Sequence, residues 1–145
     1  MYDHDYATCA QTFATLCIYH DDLDPDAVTQ SLGLPPSASH RRGDVRNPKR
    51  PIPYKGGAWF LTSEGAVQSR DVRYHIDWLL ERVESKSSAF EQLRAKGCRL
   101  VMSCYWLSAH GHGGPMVEPE AMRRLAEFGL QLAFDVYFHG EDSRT

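Results

Sequence analysis

The chain has 145 residues, 42% hydrophobic, 24% charged and 11% aromatic, which places it in the globular range and outside the disordered and collagenous classes. Lys and Arg number 16 against 19 Asp and Glu, and the formal net charge of -3 gives no overall attraction to nucleic acid or to an anionic membrane. No apolar run reaches the roughly 18 residues of a membrane span, the start lacks a basic-then-apolar leader, and the four cysteines have no zinc-type spacing. The expectation is one soluble, cytoplasmic domain over residues 1–145, with reduced thiols and no cofactor.

Along the chain, Ala10 to Tyr19 is rich in β-branched and aromatic residues and predicts a strand. Asp24 as N-cap, Pro25 at the first helical position and Gly33 as a left-handed cap bound a short helix carrying Val28 and Leu32. Pro35 to Gly57 reads as mostly loop, with a short strand near Ser39 to Asp44 and a basic, Pro-rich stretch at about 41–56. Ala58 to Ser63 is the next strand. From Arg70 the period changes to about 3.6, with Val72, Ile76, Leu79, Leu80 and Val83 on one face. After a break near Glu84 to Ser88, Ser88 and Glu91 spell a capping box that opens a second helix ending at Gly97.

Arg99 to Leu107 alternates as a half-buried strand, with Leu100, Met102, Cys104 and Trp106 against Val101, Ser103, Tyr105 and Leu107. The glycine-rich AHGHGGP leads into a helix at Glu118 and Pro119 with Met122 and Leu125 inward, capped by Gly129. Gln131 to Phe138 alternates as the last strand. The fold class is α+β: a mainly antiparallel or mixed sheet with helices packed on one face, ferredoxin-like with an extra helix and strand. DPDAVTQSLGL and EPEAMRRLAEFGL share an acid, Pro, acid, Ala opening and a Gly-Leu ending, which either an internal duplication or ordinary helix capping would produce.

The segments HDDLDPDAVTQSLGL, HRRGD, AWFLTSE, WLLERVE and YWLSAHGHGGPMVEPEAMRRLAEFGLQLAFDVYF resemble the bacterial domain-of-unknown-function family 4279, over nearly the whole chain. The last third, Tyr105 to Tyr137, carries the resemblance most specifically. It implies a small single-domain bacterial protein from a family without an established activity. The His110 and His112 pair departs from the family's loop pattern, and Arg46 to Lys55 looks like a variable insert.

No complete catalytic signature is present. His110, His112 and His139 with Asp135 have the residue types of a metal site, but HxH without a second ligand pair is weak spacing. Cys104 falls on the strand face expected to be buried, where a thiol is a small apolar filler. The opposite parity collects Ser103 and Tyr105, Asp135 and Tyr137, and Thr15 and Tyr19 on a polar, aromatic sheet face able to grip a partner. Tyr74 and Trp78 lie off the apolar stripe of their helix, either exposed or covered by the helix that follows. The first 26 residues hold six Asp and no Lys or Arg, whereas Arg41, Arg42, Arg46, Lys49, Arg50 and Lys55 stand against Asp44 alone. This segregation suggests directional contacts through Arg41, Arg42 and Asp44.

The expected function is a non-enzymatic binding protein holding a protein partner, immunity-like or adaptor. The alternatives are a small-ligand or metal-binding domain, a hydrolase included, around Tyr105, His110, His112 and Asp135, and nucleic-acid binding through the basic loop, which the overall charge disfavours. Oligomeric state is open.

Overall fold

The computed structural model describes residues 1–138. Strand β1 (Cys9–His20) is the central strand of a five-stranded sheet. Helix α1 (Pro25–Leu32) starts at Asp24, whose side chain accepts the Asp26 N–H, and ends at Gly33 with φ 68°, so its caps are those the local sequence dictates. The edge strand β2 (Ala38–His40) occupies the start of the short strand expected there.

The rest of the expected loop is a hairpin, β3 (Val45–Asn47) and β4 (Arg50–Pro53), which forms a separate two-stranded sheet. Pro51 and Pro53 hide it from a sequence reading, because proline cannot donate to a ladder and signals loop unless the strand is an unshared edge. Then follow β5 (Gly57–Thr62), α2 (Val72–Arg82), α3 (Ser87–Ala95), β6 (Arg99–Ser108), α4 (Pro119–Glu127) and β7 (Gln131–Phe138).

The strand order is β2-β5-β1-β6-β7. Every pairing is antiparallel except β6 with β7, which run parallel and are joined through α4. The architecture is α+β, as the alternation of periods predicts. Ala14, Leu16 and Ile18 of β1, Trp59 of β5, and Leu100, Met102, Cys104 and Trp106 of β6 form one buried face. Val28 and Leu32, Ile76, Leu79 and Leu80, Phe90 and Leu93, and Leu125 from the four helices complete the same core. Each buried aliphatic or aromatic side chain there contributes about 1.5–3 kcal/mol of transfer free energy. All the helical apolar stripes are thereby spent on one side of the sheet.

Three local expectations are corrected. Met122 is 50% exposed, and Ala121, Leu125 and Phe128, spaced by four and three, form the inward stripe of α4 and the turn after it. The Ser88–Glu91 capping box does not form: α3 begins two residues earlier than that box would set it, with Lys86 as N-cap and no side-chain cap. The chain reaches α3 through a backbone turn, with the Lys86 N–H donating to the Val83 carbonyl, and both serines lie inside the helix. Finally, α3 does not cover Tyr74. The N-terminal segment does, placing the rings of Tyr2 and His4 each 4.9 Å from Tyr74, while Trp78 carries Arg82 over its ring at 3.6 Å.

Candidate binding face

The second face of the sheet carries no helix, and the strand register lays its side chains out in rows across the strands. Phe13, Tyr105 and Asp135 form one row. The next is Thr62, Thr15, Ser103 and Ala133, four small side chains on four adjacent strands. Beyond it lie Ala38, Phe60, Cys17, Val101 and Gln131, and then His40, Ala58, Tyr19 and Arg99. Opposed residues in a sheet share a face, so register alone fixes this surface.

The small row is a groove between aromatic walls. On one side Phe13 stacks on Tyr105 with centroids 4.9 Å apart, and Tyr105 lies 5.4 Å from Tyr137. On the other, Tyr19 meets Phe60 edge-on at 5.7 Å, and the Arg99 guanidinium sits 5.5 Å from the Tyr19 ring. The groove floor is polar: the Thr15 hydroxyl donates to Thr62 Oγ1 at 3.1 Å. Burial pushes the Tyr19 phenol up to about 12, so it stays a neutral donor at physiological pH. Thr15, Tyr19, Ser103, Tyr105, Asp135 and Tyr137 therefore come together as the sequence parity predicts. Phe13, Phe60 and Arg99 were missed, although Phe13 has the same parity as Thr15 in the same strand and was legible by that rule.

The hairpin stands at the β2 edge of this face. Tyr54 stacks flat on His40, centroids 3.5 Å apart and planes 8° from parallel, which leaves His40 Nδ1 buried without a hydrogen-bond partner among the described residues. Between the hairpin base and the sheet opens a cleft of about 540 Å3 lined by Tyr19, His20, Asp21, His40, Tyr54 and Arg99.

Arg41, Arg42 and Asp44 lie at this edge, across the sheet from Asp135, and are engaged within the chain. Arg41 pairs with Asp24 at 2.8 Å and Asp26 at 3.0 Å, Arg42 pairs with Asp22 at 2.7 Å, and Asp44 accepts the Arg41 backbone N–H at 2.8 Å. The hydrogen bond from Arg41 holds the Asp24 carboxyl below its ordinary value. The acidic start and the basic loop thus meet each other, and the directional contacts of Arg41, Arg42 and Asp44 include these within the chain. Arg46, Lys49, Arg50 and Lys55 have no ion-pair partner among the described residues.

The glycine loop serves the fold. Gly113 has φ 86°, and an added Cβ would lie 2.5 Å from the Thr8 side chain; the Tyr6 hydroxyl donates to the Gly114 carbonyl at 2.8 Å. His110 and His112 are both exposed, with ring centroids 6.0 Å apart, and no group of three potential metal ligands occurs among the described residues. His139 lies outside the described residues. Cys104 is fully buried, and burial pushes its thiol up to about 12 and that of Cys9 to about 11, the opposite of nucleophile activation. Sequence reasoning missed one buried polar pair, Ser63 and His75, because a histidine inside an amphipathic helix pattern carries no signal of its partner.

No helix among the described residues is long and apolar enough to cross a membrane. No curated protein and no solved structure matches the chain. A family model, described as a domain of unknown function (DUF4279), matches residues 10–139. With nearly the whole chain covered, from the second residue of β1 through β7 and therefore every row of the open face, the protein belongs to the DUF4279 family.

Proposed function

We propose that this chain is a non-enzymatic binding protein of the bacterial cytoplasm that holds a protein partner on its open sheet face, in an adaptor or immunity-like role. The observation that carries the reading is the Thr62–Thr15–Ser103–Ala133 groove between aromatic walls, on a face that no helix covers. Tyrosine, phenylalanine and arginine are the side chains on which protein interfaces concentrate their binding energy, since they bury much area for few rotatable bonds. The hydroxyl-lined floor offers hydrogen bonds that fix a partner's orientation.

Nucleic acid suits this face less well. Single-strand binding combines stacking platforms with a run of cations along the phosphates, and here Arg99 is the one Lys or Arg in the rows. The four cysteines are free thiols, three of them buried, the form a reducing compartment keeps.

The test is affinity capture from the native cell with mass spectrometry, comparing the natural chain with Ser103→Arg and Asp135→Ala. Ser103→Arg fills the groove from a half-buried position that faces away from the core. The expected result is a defined protein captured by the natural chain and lost with Ser103→Arg, while circular dichroism and melting stay unchanged. Equal capture by natural chain and variants, or no protein captured at all, overturns the proposal.

A further inference from the structure

The two edges of the sheet are built differently. The β2 edge is three residues long, follows Pro35 and Pro36, and is flanked by the hairpin, all devices that block a further strand. The β7 edge is eight residues long, QLAFDVYF, without proline, lysine or arginine and without a register irregularity against β6. Such an edge is a template for another strand. Its side chains on the helix side are also under-covered: Phe134 is 38% exposed, Val136 44% and Phe138 42%, because α4 spans only nine residues and packs through its inward stripe nearer the start of β7.

We infer that β7 pairs antiparallel with β7 of a second copy about a twofold axis, joining two five-stranded sheets into one of ten strands. Side-chain symmetry selects the second copy as occupant. Continuing the sheet about a twofold axis normal to it keeps both helix layers on one side and places residues of equal parity opposite each other. With the axis at Phe134, Phe134 meets its own mate and Leu132 meets Val136, so the helix-side pairs within the strand are apolar against apolar. On the open side, Ala133 meets Asp135 and Gln131 meets Tyr137. Moving the axis one residue to Asp135 sets the two aspartates directly opposite, a like-charge pair that opposed strands disfavour. The strand is thus close to self-complementary in one register.

The edge is about 27 Å long, from eight residues at about 3.4 Å each, and one strand's side-chain strip is small beside the roughly 800 Å2 per partner of a standard stable interface. Association is therefore weak, in the micromolar range or above, and concentration-dependent. The two open faces become neighbours across the seam, so this inference stands whether or not the proposed partner is found there.

Sedimentation equilibrium of the full chain, from low micromolar to about 1 mM, tests it. The expected result is a monomer–dimer equilibrium whose dissociation constant rises at least tenfold in Val136→Lys, a change confined to a 44% exposed edge position. The register has its own test. In a Cys98→Ser background, where the remaining cysteines are buried, Phe134→Cys crosslinks to its mate under mild oxidation, since opposed residues lie about 4.5–5.5 Å apart between Cα atoms, within disulfide reach. Crosslinking by Asp135→Cys in place of Phe134→Cys overturns the register. A chain that is monomeric throughout, or a dimer indifferent to Val136→Lys, overturns the interface.

Discussion

The Nδ1 of His75 accepts the hydroxyl proton of Ser63 across 2.7 Å, inside the core, where Ser63 is 0% and His75 1% exposed. The tautomer follows from the other ring nitrogen: Nε2 lies 2.9 Å from the Ser69 carbonyl, which only accepts, so Nε2 carries the proton. Ser63 Oγ in turn accepts the Ala14 N–H at 3.0 Å. The pair ties α2 to β1 and to the segment after β5.

This pair gives the protein an acid-sensitive stability. Burial lowers the His75 pKa in the folded state. Between the folded and unfolded values the unfolded chain binds more protons, so stability is full above the unfolded value of about 6.5 and falls as pH drops through the folded value. Urea midpoints are expected to decline below about pH 6.5 in the natural chain. His75→Ala is expected to lose this pH-dependent component and to cost about 2–4 kcal/mol at pH 8, through the cavity and the unpaired Ser69 carbonyl.

Asp71 is the second buried anchor, 1% exposed at the start of α2. Burial pushes its carboxyl up, but the Arg73 guanidinium at 2.6 Å and the N–H groups of Asp3 and Arg73 outweigh that and leave it below the ordinary value. Asp71→Ala removes the helix cap and leaves Arg73 with Glu118 as its ion-pair partner, and a loss of about 3 kcal/mol in denaturant unfolding is the expected outcome. Asp71→Asn, which keeps the cap acceptor, is expected to cost less.

Gly57 opens β5 where the backbone passes against Leu23. A Cβ there would lie 2.7 Å from Leu23 Cβ and 3.1 Å from its carbonyl oxygen, both on or next to the main chain. Gly57→Ala must displace one of the two segments, and a loss of about 1–3 kcal/mol measured by thermal unfolding is expected. Gly114→Ala, with open space around it, serves as the neutral comparison.

The base of the hairpin packs on the sheet through the Tyr54–His40 stack. Removing the ring in Tyr54→Ala frees it from His40 while leaving the helix-side core untouched. Faster amide exchange over residues 44–54 with a nearly unchanged melting temperature is expected, because the hairpin forms its own small sheet. Faster exchange in β1 or β6 as well, or global destabilisation, would contradict this division.

The elements and their faces were largely legible. Leu16 and Ile18, and Met102 and Cys104, alternate by twos, and Ile76, Leu79 and Leu80 recur at helical spacing, so their burial follows from backbone geometry alone. The exceptions have local causes. Met122 is larger and more apolar than Ala121, so composition favoured the wrong stripe, and the prolines of β4 masked a hairpin whose strands pair only with each other.

By itself the sequence determined which residues of each strand share a face, where α1 is capped, and the sign of each charged segment, because periodicity, capping and charge are properties of neighbouring residues. Only the tertiary structure decided that Ser103 stands beside Thr15 and Ala133, that Tyr105 stands beside Asp135, and that Arg41 meets Asp24. Those neighbours are chosen by the global free energy of stacking four helices on one side of a sheet, through contacts between segments as far apart as Thr15 and Ala133, which no local pattern encodes. That same choice leaves one face without a helix and, among the described residues, sets the long strand β7 at the sheet edge.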